Sequence, residues 1–227
     1  MEDVLSVYQR PYNPLRPQVC VDEKSKTLHS HTKGREPLPM LPMCPAQAQE
    51  GNPGKRGQVM REDYEYKREG TANIFIATEP LAGKRRVQVT EQRTGADFAQ
   101  LLRLMVDEWY REAEEVEVVV LVTDNLNTHG PWVLYESFSP EEARRISERI
   151  EWHYTPEHGS WLNMAEIELS ALGQQCLDRR IPDTETLAKE VAAWECDRNN
   201  AQVTINWQFT TADARIKLRH LYPTVTI

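Results

Sequence analysis

Apolar positions along the chain follow two periods, and the order in which the periods alternate sets the expected elements. Gln18 to Asp22 reads Gln-Val-Cys-Val-Asp, a short buried strand ending in an acid. Asn73 to Glu79 and Arg85 to Glu91 read as two more strands, joined by a turn at Pro80 to Gly83, which predicts a hairpin. Val118-Val119-Val120-Leu121-Val122 has no polar alternation, as in a central strand covered on both faces. A last strand is expected around Trp152 to Thr155. Helical spacing starts at Thr94, where Phe98, Leu101, Leu102, Met105, Val106 and Trp109 recur at i, i+3, i+4. Ser139 and Ser160 are the expected N-caps of two further helices, and two more cover roughly 183–198 and 211–221.

Three strands, a helix, a strand, a helix, a strand and then helices call for an α/β fold. Early strands without an intervening helix pair antiparallel, and later β-α-β units add in parallel. The result is a mixed five-stranded sheet with helices on both faces, the element order of a ribonuclease H-like fold. Residues 1–17 read as a lead-in, 18–180 as the main domain and 181–227 as its helical extension. Between Gly34 and Gly57 stand five prolines and four glycines, so a long loop is inserted at 33–60.

Composition narrows the function classes. The longest aliphatic run is five residues, where a membrane span needs about 20. Cys20, Cys44, Cys176 and Cys196 show no Cys-x-x-Cys spacing, so a reducing cytoplasm is expected and a zinc ribbon is not. Net charge is −8, which argues against a protein that simply coats nucleic acid. The charge is uneven: residues 1–93 hold 15 basic and 12 acidic side chains, the rest 12 and 23. Polyanion contact should therefore favour the first part, with Lys24, Lys26, Lys33, Arg35, Lys55, Arg56 and Lys84-Arg85-Arg86.

Asp22 and Asp124 each end a predicted strand, the edge at which open α/β sheets place ligands. Alone, such an Asp more often caps a turn. On neighbouring strands the two would share a crevice and repel, unless a divalent cation lies between them. Oxygen-only ligands suit Mg²⁺ or Mn²⁺, and two such ions stabilise the attacking and leaving oxygens of phosphodiester chemistry. A third carboxylate can come from the helix after His158-Gly159-Ser160-Trp161. Leu162, Ala165, Leu169 and Leu172 form its core stripe. Glu166 borders the stripe beside Asn163 and Ser170, and Glu168, about 200° away, borders the other side, where substitution should cost little. Periodicity leaves both edges open. His129 can orient water or phosphate, or cap the next element. Cys20, Trp109, Trp194 and Trp207 read as core, whereas Trp161 is more open.

Three segments together resemble a family. Val-Cys-Val-Asp22-Glu, Asp124-Asn125-Leu-Asn127-Thr-His129 and His158-Gly-Ser-Trp-Leu-Asn163-Met-Ala-Glu166 are similar to the acidic motifs of DDE transposases of the insertion-sequence 630 family, relatives of mariner. The likeness runs from about Tyr8 to Pro223. It implies a catalytic domain that cuts transposon ends and joins them to target DNA with two Mg²⁺ or Mn²⁺ ions on Asp22, Asp124 and Glu166. Asn125, Asn127, His129, His158 and Asn163 would support the site, and Lys24, Lys26 and Trp161 would contact DNA. It further implies double-stranded DNA and a second copy of the chain as partners, the loop from Lys33 to Gln58 stabilising the dimer as a clamp or contacting DNA, and action at the nucleoid. The 41 residues between Asp124 and Glu166 exceed the spacing common in such proteins. Only 21 residues precede Asp22, where such transposases carry helix-turn-helix modules, so end recognition is expected either to come from a separate helix-turn-helix polypeptide or to have been lost by truncation. Two other readings are a catalytically silent remnant that regulates an intact transposase, and a ribonuclease H-like nuclease without strand transfer.

Overall fold

The computed structural model describes residues 1–32, 37, 64–110 and 116–222. At its centre is a five-stranded sheet, ordered β3-β2-β1-β4-β5. The strands are β1 (Gln18–His31), β2 (Tyr66–Glu79), β3 (Lys84–Thr90), β4 (Val119–Thr123) and β5 (Ile150–Tyr154). β1, β2 and β3 pair antiparallel, while β4 runs parallel to both β1 and β5. This is the mixed α/β arrangement, with the ribonuclease H-like order, that the alternation of periods predicts.

Both faces of the sheet are buried, which is why β4 lacks polar alternation. On one face Cys20, Ile74, Ile76, Val120 and Val122 meet α1 (Glu2–Tyr8), α5 (Ala165–Leu172), α6 (Thr184–Asn200) and α7 (Thr211–Lys217). On the other, Val19, Val21, Phe75 and Leu121 meet α2 (Gly95–Leu104), α3 (Trp132–Ser137) and α4 (Pro140–Ser147). Each fully buried Leu, Ile or Phe contributes roughly 1.5–3 kcal/mol by leaving water. Residues 1–17 contain α1, whose Val4, Leu5 and Val7 are buried, and Ile181, Leu187 and Val191 bring the last segment onto the same core. The hairpin turns at Gly83, with φ +66, where an added Cβ would stand 2.7 Å from the Gln202 backbone; glycine answers both constraints.

Helix ends follow local chemistry. Thr94 and Asp97 form a reciprocal capping box, Ser139 caps α4, and Asp183 caps α6. Ser160 does not cap α5. Ser160–Leu162 is a turn of 3₁₀ helix, and the Ala165 N–H that opens α5 donates instead to Asn163 Oδ1 at 3.1 Å.

Two further expectations change. β1 does not end at Asp22 but continues to His31, because Glu23 through His31 pair with Phe75 back to Tyr66. A paired ribbon satisfies its backbone groups without an apolar period, so the pattern alone could not extend the strand. Arg85 is no surface cation: its side chain is 1% exposed and paired to Glu168. The insertion at 33–60, with Lys33, Arg35, Lys55 and Arg56, lies outside the described residues apart from Pro37. Among the described residues no helix is long and apolar enough to cross a membrane.

Candidate active site

The register of β1 against β4 brings the two Asp residues together. Gln18 pairs with Val120, Val19 with Leu121 and Cys20 with Val122. The same offset sets Asp22 beside Asp124 just beyond the last pair, on strands spaced about 4.8 Å apart. Alternation gives Asp22 the face of Cys20, beneath α5, while Asp124 lies just past the end of β4. β4 stops at Thr123 while β1 runs on, so the ladder opens at this point.

Asp22 is buried and held from two sides. The Glu23 N–H donates to its Oδ1 at 2.8 Å, and Asn163 Nδ2 donates to its Oδ2 at 3.3 Å and to the Val21 carbonyl at 2.8 Å. Burial is the main force that pushes the Asp22 carboxyl up to about 7. The Glu23 N–H opposes it, and the charges of Glu166, Glu23 and Asp124 add to it. The third expected acid is thus within electrostatic reach, on the exposed side of the first turn of α5.

Asp124 is fixed by His129, whose ring is fully buried and stacked on Phe98 at 4.3 Å. His129 Nδ1 bonds Asp124 Oδ1, and Nε2 lies 3.0 Å from Glu23 Oε2. Burial disfavours the imidazolium, but these two carboxylates outweigh it and raise the ring to about 9. His129 therefore serves Asp124 as a charged brace. Glu23, missed by the sequence reading, sits on the opposite face of β1 from Asp22 by strand alternation, and Arg93 Nη1 reaches its other oxygen at 3.4 Å. An acid directly after a buried Asp, far in sequence from His129, gave no periodic signal.

The outer rim is exposed. Asn125 and Asn127 are exposed, the Asn127 carbonyl accepting from Trp132 Nε1 at 3.0 Å. His158 stands on a left-handed residue, φ +58, with its ring in solvent. Trp161 is 45% exposed and meets Phe209 edge-on at 5.7 Å. With Asp124 and Asn125 at one end, Thr155 to Ser160 line a groove of about 420 Å³. Lys24 is exposed, whereas Lys26 Nζ is bonded to the Leu177 and Arg179 carbonyls at 2.6 and 3.2 Å.

Glu168 is the surprise of α5. It is fully buried, with Arg85 Nε at 3.1 Å and Arg198 donating from Nη2 and Nε at 2.8 and 3.0 Å. Asn199 locks Arg85 in place by exchanging bonds with its backbone N–H and carbonyl at 2.9 Å each. The expectation of a peripheral Glu168 is corrected: α6 and β3 cover the side of α5 that the apolar stripe alone left open.

As a metal centre the donor set is chemically apt. Three carboxylates supply only oxygen, as Mg²⁺ and Mn²⁺ prefer, and the raised Asp22 pKa is the mark of buried negative charge without a counter-ion. Among the described residues no three His, Cys, Asp or Glu side chains converge tightly enough to enclose an ion as they stand.

Comparison with known proteins gives the family. The model of the DDE superfamily endonucleases matches residues 41–188, well over half of the chain. The chain belongs to this family. The match includes Asp124 and Glu166 and begins after Asp22. No curated protein matches the chain. Among solved structures, the DDE endonuclease fold described above is similar to the mariner Mos1 paired-end complex with Mg, at 16% identity and a TM-score of 0.52, over 97% of this chain and 60% of that one. The Mos1 strand transfer complex aligns at 14% identity and TM-score 0.52, over 88% of this chain and 54% of that one. The Mos1 transposase catalytic domain with Raltegravir and Mn aligns at 12% identity and TM-score 0.52, over 88% and 87%. The chain thus spans little more than half the length of the longer Mos1 chains, and their likeness establishes the ribonuclease H-like fold.

Proposed function

We propose that this DDE endonuclease is the catalytic part of a DNA transposase of the insertion-sequence 630 and mariner type, cutting transposon ends and joining them to target DNA. The observation that carries the reading is the register that puts Asp22 beside Asp124 under α5, with the Glu166 charge felt at Asp22. Asp22, Asp124 and Glu166 would hold two Mg²⁺ or Mn²⁺ ions. Such ions, when bound, activate the attacking oxygen and stabilise the leaving one.

The other residues act by placement. Asn163 and the Glu23 N–H fix the Asp22 carboxylate, and His129 fixes that of Asp124. The Arg85–Glu168–Arg198 cluster anchors the far side of α5. Asn125, Asn127, His158 and Trp161 form an exposed polar and aromatic rim for DNA, with Lys24 beyond it. Double-stranded DNA and a second copy of the chain are the partners of this reading, and the nucleoid is its place of action. Residues 18–180 form its catalytic domain and 181–227 an extension of it.

The test is incubation of the purified chain with Mn²⁺ and pre-cleaved inverted-repeat ends of insertion-sequence 630-type elements. Joining to a second duplex is the expected result. Cutting without joining would assign a nuclease, and neither activity would assign a silent regulatory remnant.

A further inference from the structure

β1 continues past Asp22, and α5 continues past Glu166 into a π-helical turn, Gly173–Leu177. The two lie side by side. Asp22, Lys24 and Lys26 share one face of the strand at i, i+2, i+4. Glu166, Ser170, Gly173, Gln174 and Leu177 follow one face of the helix at i, i+4, i+7, i+8, i+11. Between them runs a groove of about 430 Å³ lined by Lys24, Ser25, Lys26, Ser170, Gly173 and Gln174, with Asp178 at its far end. Asp22 and Glu166 precede its lining residues on the same strand and the same helix and are not themselves part of that lining.

The two lysines are not equivalent. Lys26 closes the far end, its Nζ spent on the Leu177 and Arg179 carbonyls. Lys24 is exposed and has no hydrogen-bond or ion-pair partner among the described residues. Its Nζ stands over Gly173, where an added Cβ would lie 3.5 Å away, so no side chain of the helix fills the space beneath it. Ser170 and Gln174 are exposed and flank this ammonium with hydroxyl and amide donors. The floor of the groove is thus rich in donors, in a chain whose net charge is −8.

We infer that this groove is a phosphate subsite, in which Lys24, Ser170 and Gln174 hold a phosphodiester of the DNA strand beside the bond to be cut. The inference rests on the function proposed above. Lys24 is two residues from Asp22, about 7 Å along the strand. That distance is roughly two nucleotides of axial rise, so the held phosphate belongs to the strand entering the acid site. Lys26 is a structural clamp on the end of α5 and takes no part.

The experiment measures binding of the full chain to a short duplex with a free 3′ hydroxyl, across a series of salt concentrations without metal. Lys24→Gln should weaken binding and reduce the slope of log K against log salt by about one, the loss of a single phosphate contact. Lys24→Arg should restore the slope. Ser170→Asp, which puts a negative charge in the groove and leaves Lys24 intact, should weaken binding comparably. Lys26→Gln should lower the melting temperature and leave the slope unchanged. An unchanged slope in Lys24→Gln, an equal loss of slope in Lys26→Gln, or no DNA binding by the parent at low salt would each overturn the subsite. The parent reading fails separately: if Asp22→Asn still cuts DNA while Lys24→Gln loses its contact, the groove stands and the acid site does not.

Discussion

Glu166 and Glu168 stand two residues apart on α5 and meet opposite surroundings. Glu168 is fully buried between Arg85 and Arg198, so the protein supplies its counter-charge. Glu166 is exposed and its charge is felt at Asp22, and the described structure sets no cation against Asp22, whose carboxyl is pushed up to about 7 by burial and by its acidic neighbours. A buried acid whose counter-ions are built in holds the fold together. A buried acid with none, as Asp22 is, is stable only when protonated or joined by an external cation. The comparison separates a structural carboxylate from a functional one without reference to motif.

The largest effect should fall on the acid cluster around Asp22. Asp22→Asn, Asp124→Asn and Glu166→Gln should each cost several orders of magnitude in Mn²⁺-dependent strand cleavage. None should unfold the protein, and Asp22→Asn should raise the metal-free melting temperature, because it removes a buried charge from among others of its sign. Mn²⁺ should no longer raise the melting temperature of these variants as it does the parent's. Normal turnover in any of the three would remove that residue from the site.

The compensated cluster should answer in stability. Glu168→Gln leaves Arg85 buried with its charge unmatched, and breaking a buried pair from one side costs about 3–5 kcal/mol. Denaturant titration would read this as a lower midpoint. Cleavage per folded molecule should survive at low temperature. A stable Glu168→Gln that cannot cut would exchange the roles of the two residues.

The contrast was only partly legible in the chain. Unbroken apolar character at Val118 to Val122 and the i, i+3, i+4 run from Phe98 place the central strand and α2, since both bury faces of fixed period. Asp22 and Asp124 were visible as acids next to buried strands, although β1 does not stop at Asp22. Glu168 was misjudged, because a helix seen alone shows its apolar stripe and not the arginines that α6 and β3 bring from 30 and more residues away. The Glu23–His129 contact was hidden for the same reason: it joins β1 to the turn after β4, far apart in sequence, and neither residue follows a period. α3 escaped as well, being a helix of 6 residues, too short to declare a repeat.

Acidity offers a subtler way to sharpen the comparison. Asp22 moves from 3.8 to about 7 on folding, so the stability linked to its proton is complete below about 4 and is lost as pH climbs through 7. His129 moves from 6.5 to about 9, so its contribution is complete below 6.5 and lost as pH climbs through 9. Both slopes have the same sign. The melting temperature of the metal-free protein should therefore fall between pH 5 and pH 9. Excess Mg²⁺ should flatten the part below pH 7, since a bound cation replaces the Asp22 proton, and leave the part above it, which belongs to an imidazolium held by protein carboxylates. A melting temperature that rises with pH in the absence of metal would contradict both assignments.

The smallest effect concerns an uncharged contact that both acids of α5 share. The turn Leu162–Met164 carries Asn163 and launches the helix, and α1 pins it: Tyr8 Oη donates to the Leu162 carbonyl at 2.8 Å and accepts from the Met164 N–H at 3.4 Å. Tyr8→Phe keeps the ring on Trp207 and deletes these bonds, leaving a buried carbonyl and a buried N–H unmatched. The cost should be about 1–3 kcal/mol, less than for Glu168→Gln because no charge is stranded. The turn holds Asn163 against Asp22, so the variant should also bind Mn²⁺ somewhat more weakly, while Glu168→Gln, acting on the far side of the helix, should lose more stability for each unit of metal affinity. Parallel thermal melts of the two variants over a Mn²⁺ series measure that ratio. If Tyr8→Phe loses stability alone, with its Mn²⁺ response equal to the parent's, the turn supports the fold and does not set the geometry of Asp22.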